Sequence, residues 1–232
     1  MRISRSKIEQ FINCRRCFYL TVVLKVKQPS SPPYTLNSAV DKLLKSEFDI
    51  LRKSGESHQL FQDYGIKAVP FNHPELEKWR FNFSGVTRVE TESGIEVFGA
   101  VDDLWLMENG EIAVVDYKST AKEGEVELTD APWHDGYRRQ IEVYQWLLRG
   151  NELKVSDTGY FVYCNGITNL ARFDAKLEFK IKIIDYQGDD SWVAPTVREM
   201  AQVMSLDQIP HPGKDCEWCR YRNNASKYES IE

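Results

Sequence analysis

The 232-residue chain contains no apolar run approaching the length of a transmembrane helix. Its opening, MRISRSKIEQF, is charged and amphipathic with no apolar segment behind it, so it does not read as a signal peptide and the chain is expected to be cytoplasmic. Internal repeats and low-complexity tracts are missing. So is the G-x-x-x-x-G-K-S/T phosphate loop, so no P-loop motor is encoded here. Positive charge is in deficit: 30 Lys and Arg against 35 Asp and Glu give a net charge of −5. That balance excludes a protein held to nucleic acid by bulk charge and leaves room for a local basic groove. Five cysteines do not make a disulfide framework in a reducing compartment.

What is present is enough apolar sequence, 42%, to build one substantial core. Ser6 and Glu9 have the S-x-x-E spacing of a capping box and open a first helix, along which Ile8, Phe11, Ile12, Arg15 and Tyr19 follow helical spacing. PSSPPYTLNS reads as a connector, and a second helix is expected over Ser38–Lys53, stopped by Gly55. HPELEKWRF suggests a short helix. From Gly85 the period changes to two: GVTRVETES, IEVFGAVDDLWLM and EIAVVDYKST read as a three-stranded antiparallel meander. A charged connector, AKEGEVELTDAPWHDG, leads to a helix at YRRQIEVYQWLLRG. Strands at TGYFVYCNG and LARFDAKLEFKIKIIDY and a helix at WVAPTVREMAQVMS complete the pattern. This order predicts an α/β fold with a central mixed sheet flanked by helices, in a single domain over 1–232.

The second hairpin of the meander carries charge where burial is expected. Asp116 and Lys118 are two apart, so on a strand they share a face while Tyr117 points the other way. A two-residue Asn-Gly turn would set Asp103 opposite Asp116. A three-residue Glu-Asn-Gly loop, with Gly110 left-handed, pairs Met107 with Glu111, stacks Leu104 and Leu106 across from Val114 and Ile112, and sets Asp102 opposite Asp116. The second register is the more apolar and is preferred. Facing carboxylates repel unless a cation lies between them, and hard oxygen ligands suit Mg²⁺ or Mn²⁺. Such an ion polarises a phosphate and acidifies a bound water, and Lys118 on the same face can orient that water or stabilise developing charge. The chemistry is phosphodiester hydrolysis.

Four of the five cysteines form two Cys-x-x-Cys pairs, Cys14 with Cys17 and Cys216 with Cys219. Each such turn converges two thiolates on one metal, and the spacing taken alone favours zinc. Convergence of all four requires the chain ends to meet. Cys164, in GYFVYCNG, reads as a buried thiol on a strand.

GAVDDLW and VVDYKST followed by QIEVYQWLL resemble the PD-(D/E)XK nuclease superfamily, and within it the branch of RecB-type and AddB-type nuclease domains and CRISPR-associated iron–sulfur nucleases. SRSKIEQFINCRRCFYL resembles the branch's opening helix. The resemblance implies a restriction-endonuclease-like fold whose N- and C-terminal segments, 1–20 and 205–232, are joined by a four-cysteine metal site. It assigns Asp102, Asp116, Lys118 and Gln140 to catalysis and Tyr144 to substrate. Asp102, Asp116 and the Tyr117 carbonyl would hold the divalent ion. Asp41 stands where the branch places a metal-binding histidine. Arg138 and Arg139 can meet backbone phosphates. For Cys14, Cys17, Cys216 and Cys219 the resemblance shifts the preference to a 4Fe–4S cluster, with Zn²⁺ as the alternative, since the branch commonly divides its cysteines one and three rather than two and two.

The implied function is a Mg²⁺- or Mn²⁺-dependent DNA exonuclease acting on single strands or duplex ends, with helicase or repair and CRISPR proteins as the partners the branch suggests. Two other readings stand beside it: a non-catalytic nucleic-acid-binding or assembly module, and a hydrolase of small phosphoesters. Each residue also has a plainer reading: Asp102, Asp116 and Lys118 as a structural ion-pair set, Gln140 and Tyr144 as core packing, Asp41 and the arginine pair as solvated surface.

Overall fold

The computed structural model describes residues 1–29 and 34–229. In chain order the first elements are β1 (Arg2–Ser4), α1 (Arg5–Asn13), α2 (Arg15–Val22), α3 (Thr35–Ser54), α4 (Gln59–Asp63) and β2 (Ala68–Pro70). Then come α5 (Leu76–Arg80), β3 (Val86–Val89), β4 (Glu96–Gly99), β5 (Asp103–Met107) and β6 (Ile112–Thr120). The last are α6 (Pro132–Arg149), β7 (Thr158–Gly166), β8 (Phe179–Gln187), α7 (Val193–Met204) and α8 (Glu217–Glu229). The chain divides into two compact units, one from residues 1–31, 89–97 and 191–232, the other from 32–88 and 98–190.

The second unit is organised by a five-stranded sheet in the order β2-β5-β6-β7-β8. All neighbours are antiparallel except β6 and β7, so the sheet is mixed, as the element order predicts. A parallel pair needs a crossover, and α6 supplies it. Phe48 of α3 and Phe61 of α4 pack on Trp105, at ring distances of 5.7 and 4.4 Å, in a core that includes Val115, Tyr117, Tyr160 and Val162. The β5–β6 connection is the three-residue loop: Met107 N–H bonds the Glu111 carbonyl at 2.8 Å and Gly110 has φ of 77°. Leu104 then faces Val114 and Leu106 faces Ile112, and Tyr117 enters the aromatic core.

The expected three-stranded meander is corrected. The stretch IEVFGAVDDLWLM is two strands in two sheets: β4 joins β1 and β3 in the order β1-β4-β3, and β5 joins the five-stranded sheet. The break is enforced from α5. Val101 N–H bonds the Trp79 carbonyl at 3.1 Å, and Arg80 Nε bonds the Asp102 carbonyl at 3.0 Å, so the backbone between the strands is committed elsewhere.

In the first unit the expected opening helix is two helices. Cys14, at φ −164° and ψ 105°, ends α1 and caps α2, its Sγ accepting from Cys17 N at 3.4 Å. The capping box is likewise corrected: Ser4 rather than Ser6 is the N-cap residue, and Ser6 lies inside the helix. The connector PSSPPYTLNS lies partly outside the described residues, and α3 begins within it at Thr35. The helix expected at Tyr137 begins at Pro132, whose missing N–H costs nothing in a first turn. No helix among the described residues is long and apolar enough to cross a membrane.

Candidate active site and metal centre

The candidate active site lies within the second unit. Alternation along β6 puts Asp116 and Lys118 on one face, where Asp116 is fully buried and ion-paired with the Lys118 ammonium. Lys118 Nζ also donates to Gln140 Oε1 at 3.3 Å and sits over the Tyr137 ring, 4.5 Å from its centroid. Gln140 Nε2 in turn donates to the Tyr144 hydroxyl at 3.3 Å. The strand and helix residues Asp116, Lys118, Gln140 and Tyr144 therefore form one connected polar chain. Tyr137 was not foreseen; its place one turn before Gln140 on α6, at i and i+3, is the signal that could have found it.

Asp102 precedes β5, and its Oδ2 accepts from the backbone N–H of Tyr117 at 3.0 Å, which ties it to the strand between Asp116 and Lys118. Its Oδ1 accepts from Lys45 Nζ at 3.1 Å, and the same ammonium pairs with Asp41 at 2.8 Å. Lys45 thus occupies the space between two carboxylates. Burial, and then the Asp102 charge, raise the Asp41 carboxyl above its usual range. For Lys45, burial is outweighed by Asp102 and Asp41, and the ammonium is held above its usual range. Lys45 was also unforeseen, although its i,i+4 spacing from Asp41 is visible in sequence.

The neighbouring acid, Asp103, has a different role. It is fully buried and accepts from the Arg52 guanidinium, from Arg80 Nη2 at 2.9 Å, from the Tyr117 hydroxyl at 2.7 Å and from Leu104 N–H at 2.7 Å. Arg80 and Arg52 also bind Asp49. The tandem acids are divided: Asp103 locks the strand and Asp102 faces Lys45. Arg138 is engaged locally, donating to Asp135 at 2.7 Å and to the Thr129 carbonyl at 2.8 Å, and Arg139 is half-buried beside Gln140.

Whether these residues fit a divalent ion is answered by the donor set and by Lys45. Asp41 and Asp102 are hard oxygen donors that already share a cation, so a positive charge belongs between them. Asp41, Asp102 and Asp116 are not drawn to within 4.8 Å of one another; among the described residues only the cysteines reach that spacing.

Cys14, Cys17, Cys216 and Cys219 converge in the first unit, as their spacing predicts. Sγ–Sγ distances are 3.5 Å for Cys17–Cys216, 3.6 Å for Cys17–Cys219 and 3.7 Å for Cys14–Cys219. Three of the residues are buried and Cys216 is half-buried. Burial raises the Cys14 thiol, but backbone N–H groups of Gly213 and Cys17 outweigh it and bring the thiol to about 7. Burial first, and then the neighbouring thiols, push Cys17 up.

The family model of the PD-(D/E)XK nuclease superfamily matches residues 2–224. The chain belongs to that superfamily. Membership makes it a nuclease-type phosphodiester hydrolase by family, with nucleic acid as the substrate class and a divalent metal as the family's cofactor. No curated protein matches the chain. Among solved structures, the crystal structure of SSO0001 is similar at 13% identity and a TM-score of 0.39, over 96% of this chain and 84% of that one.

Proposed function

We propose that the chain is a Mg²⁺- or Mn²⁺-dependent deoxyribonuclease acting on single strands or duplex ends. The observation that carries this reading is the buried Asp116–Lys118 pair, continued through Gln140 to Tyr144, with Asp102 held on the N–H of the intervening Tyr117. A divalent ion bound by Asp102 and Asp116, with Asp41 and the Tyr117 carbonyl as further donors, would polarise the scissile phosphate and acidify its water. Lys118, anchored by Asp116 and Gln140 and shielded by the Tyr137 face, presents a fixed ammonium to developing negative charge. Gln140 fixes the direction of that ammonium. Tyr144 contacts substrate through the hydroxyl that Gln140 holds, and Arg138 and Arg139 lie next on α6 for backbone phosphates. The cysteines form a structural metal centre, which clips residues 14–17 to 216–219.

Degradation of labelled single-stranded, blunt duplex and circular DNA with Mg²⁺ or Mn²⁺ tests this. Asp116→Ala and Lys118→Ala are expected each to lower cleavage by at least about a hundredfold. Equal activity in wild type and both variants overturns the assignment.

Lys45 between Asp41 and Asp102 favours a second reading, a nucleic-acid-binding module with the nuclease fold and no bound divalent ion. DNA binding with no cleavage at any divalent concentration selects it.

A further inference from the structure

The sulfur positions bear on what the cysteine centre holds. Three of the six Sγ–Sγ edges measure 3.5, 3.6 and 3.7 Å, and none exceeds 4.8 Å. A regular tetrahedron with an edge of about 3.6 Å has its centre about 2.2 Å from each corner, close to the zinc–thiolate bond of about 2.3 Å. A 4Fe–4S cluster makes a different demand. Each thiolate binds its own iron, with sulfides bridging the irons, so the four Sγ atoms sit on the outside of a body several ångströms across. Sulfurs this close leave no room for four irons and their sulfides.

We infer that Cys14, Cys17, Cys216 and Cys219 take a single four-coordinate zinc ion, not an iron–sulfur cluster. The surroundings are built for that occupant. Each Cys-x-x-Cys opens a helix: Cys14 caps α2, and Cys216 immediately precedes α8. Four thiolates around Zn²⁺ carry a net charge of −2, which two helix N-termini, at about half a positive charge each, offset in part. Backbone N–H groups add to this, Gly213 N donating to Cys14 Sγ at 3.2 Å and Cys17 N at 3.4 Å. Gly213 is needed for that approach: a Cβ there would lie 2.5 Å from the Asn13 carbonyl oxygen and 3.3 Å from Cys14 Cα. With three ligands buried and all four positions filled by sulfur, no position is open for substrate, which marks the ion as structural. The sulfurs it joins are 199 to 205 residues apart in the chain, so it closes a loop of most of the chain.

The full chain, expressed with iron and zinc both supplied and purified without oxygen, decides this. Expected are one zinc per chain, no acid-labile sulfide, no visible absorption, and no spectral change on exposure to air. Exchange for Co²⁺ is expected to give the intense visible bands of a tetrahedral tetrathiolate site, and Cys216→Ser to weaken them. Iron with labile sulfide, a single iron without sulfide, or a folded chain with no metal each overturns the inference. None of these readouts depends on cleavage, so the result stands whether or not the nuclease reading does.

Discussion

Lys45 on α3 donates to Asp102 Oδ1 across 3.1 Å, with the same ammonium 2.8 Å from Asp41. A divalent ion bridging those two carboxylates must displace it. At an effective dielectric of 20 a charge pair at 4 Å is worth about 4 kcal/mol, before desolvation is counted. Lys45→Met removes the competitor and leaves two acids in like-charge contact. It is expected to tighten Mn²⁺ binding by at least about tenfold, measured by calorimetry or by electron paramagnetic resonance of free Mn²⁺. Unchanged or weaker binding would show that Lys45 and the ion do not share a site.

Asp102 and Asp103 are adjacent in sequence and differ in what their loss should cost. Asp103 is fully buried against Arg52 and Arg80, so Asp103→Ala leaves two guanidinium groups short of a counter-charge. Breaking a buried pair costs about 3–5 kcal/mol, or roughly 6–20 °C in Tm for a chain of this size. Asp102→Ala removes a partly exposed acid and should shift Tm by only a few degrees while lowering metal-dependent cleavage by at least about a hundredfold. Thermal melts beside cleavage assays check both, and the opposite pattern would exchange the two roles.

Much of this arrangement was legible from period and turn chemistry. The continuous apolar run in TGYFVYCNG matches β7, Thr158–Gly166, and Gly55 ends α3 in the left-handed conformation, at φ 72°. The apolar stacking of Leu104 and Leu106 fixed the register that separates Asp102 from Asp103. What was not legible depends on partners distant in the chain. The break between β4 and β5 is set by Trp79 and Arg80, some twenty residues earlier, and nothing in the alternation of IEVFGAVDDLWLM marks it. The split of the first helix arises because the Cys14 thiol turns back to cap α2, and a cysteine is a weak capping signal beside the good helical spacing around it. Lys45 is 57 residues from Asp102 and is an ordinary surface lysine by its local pattern.

Glu90 gives a pH-dependent test. It is buried, its Oε2 accepts from Ser93 N–H at 2.8 Å, and its Oε1 accepts from Arg198 Nη1 at 3.2 Å. Burial alone would raise its carboxyl, but the Ser93 and Glu92 hydrogen bonds and Arg198 outweigh that and hold it below the usual range. A carboxyl depressed in the folded state contributes its stability above the unfolded value of about 4.3, and loses it as the pH falls through the folded value. Because Arg198 is partly exposed its share is screened, so Glu90→Gln is expected to cost about 1 kcal/mol at pH 7. The cost should fade as the pH falls through the depressed folded value. Urea titrations of wild type and variant at pH 7 and along a descending acid series measure it, and a penalty independent of pH would refute the ionic account.

Cys164 lies at 3% exposure on β7, and burial, with a smaller contribution from Glu47, pushes its thiol up to about 11. At pH 8 only about one part in a thousand of such a thiol is thiolate, which is the reactive form. On the zinc reading the four clustered cysteines differ, since a bound ion would protect them and its removal would release them. Iodoacetamide treatment of the native chain at pH 8, followed by mass spectrometry, is therefore expected to leave Cys164 unlabelled. After a chelator strips the centre, labelling should rise towards four sites at Cys14, Cys17, Cys216 and Cys219, and reach the fifth only in denaturant. Early labelling of Cys164 in the chelated chain would mean that losing the ion opens the second unit as well as the first.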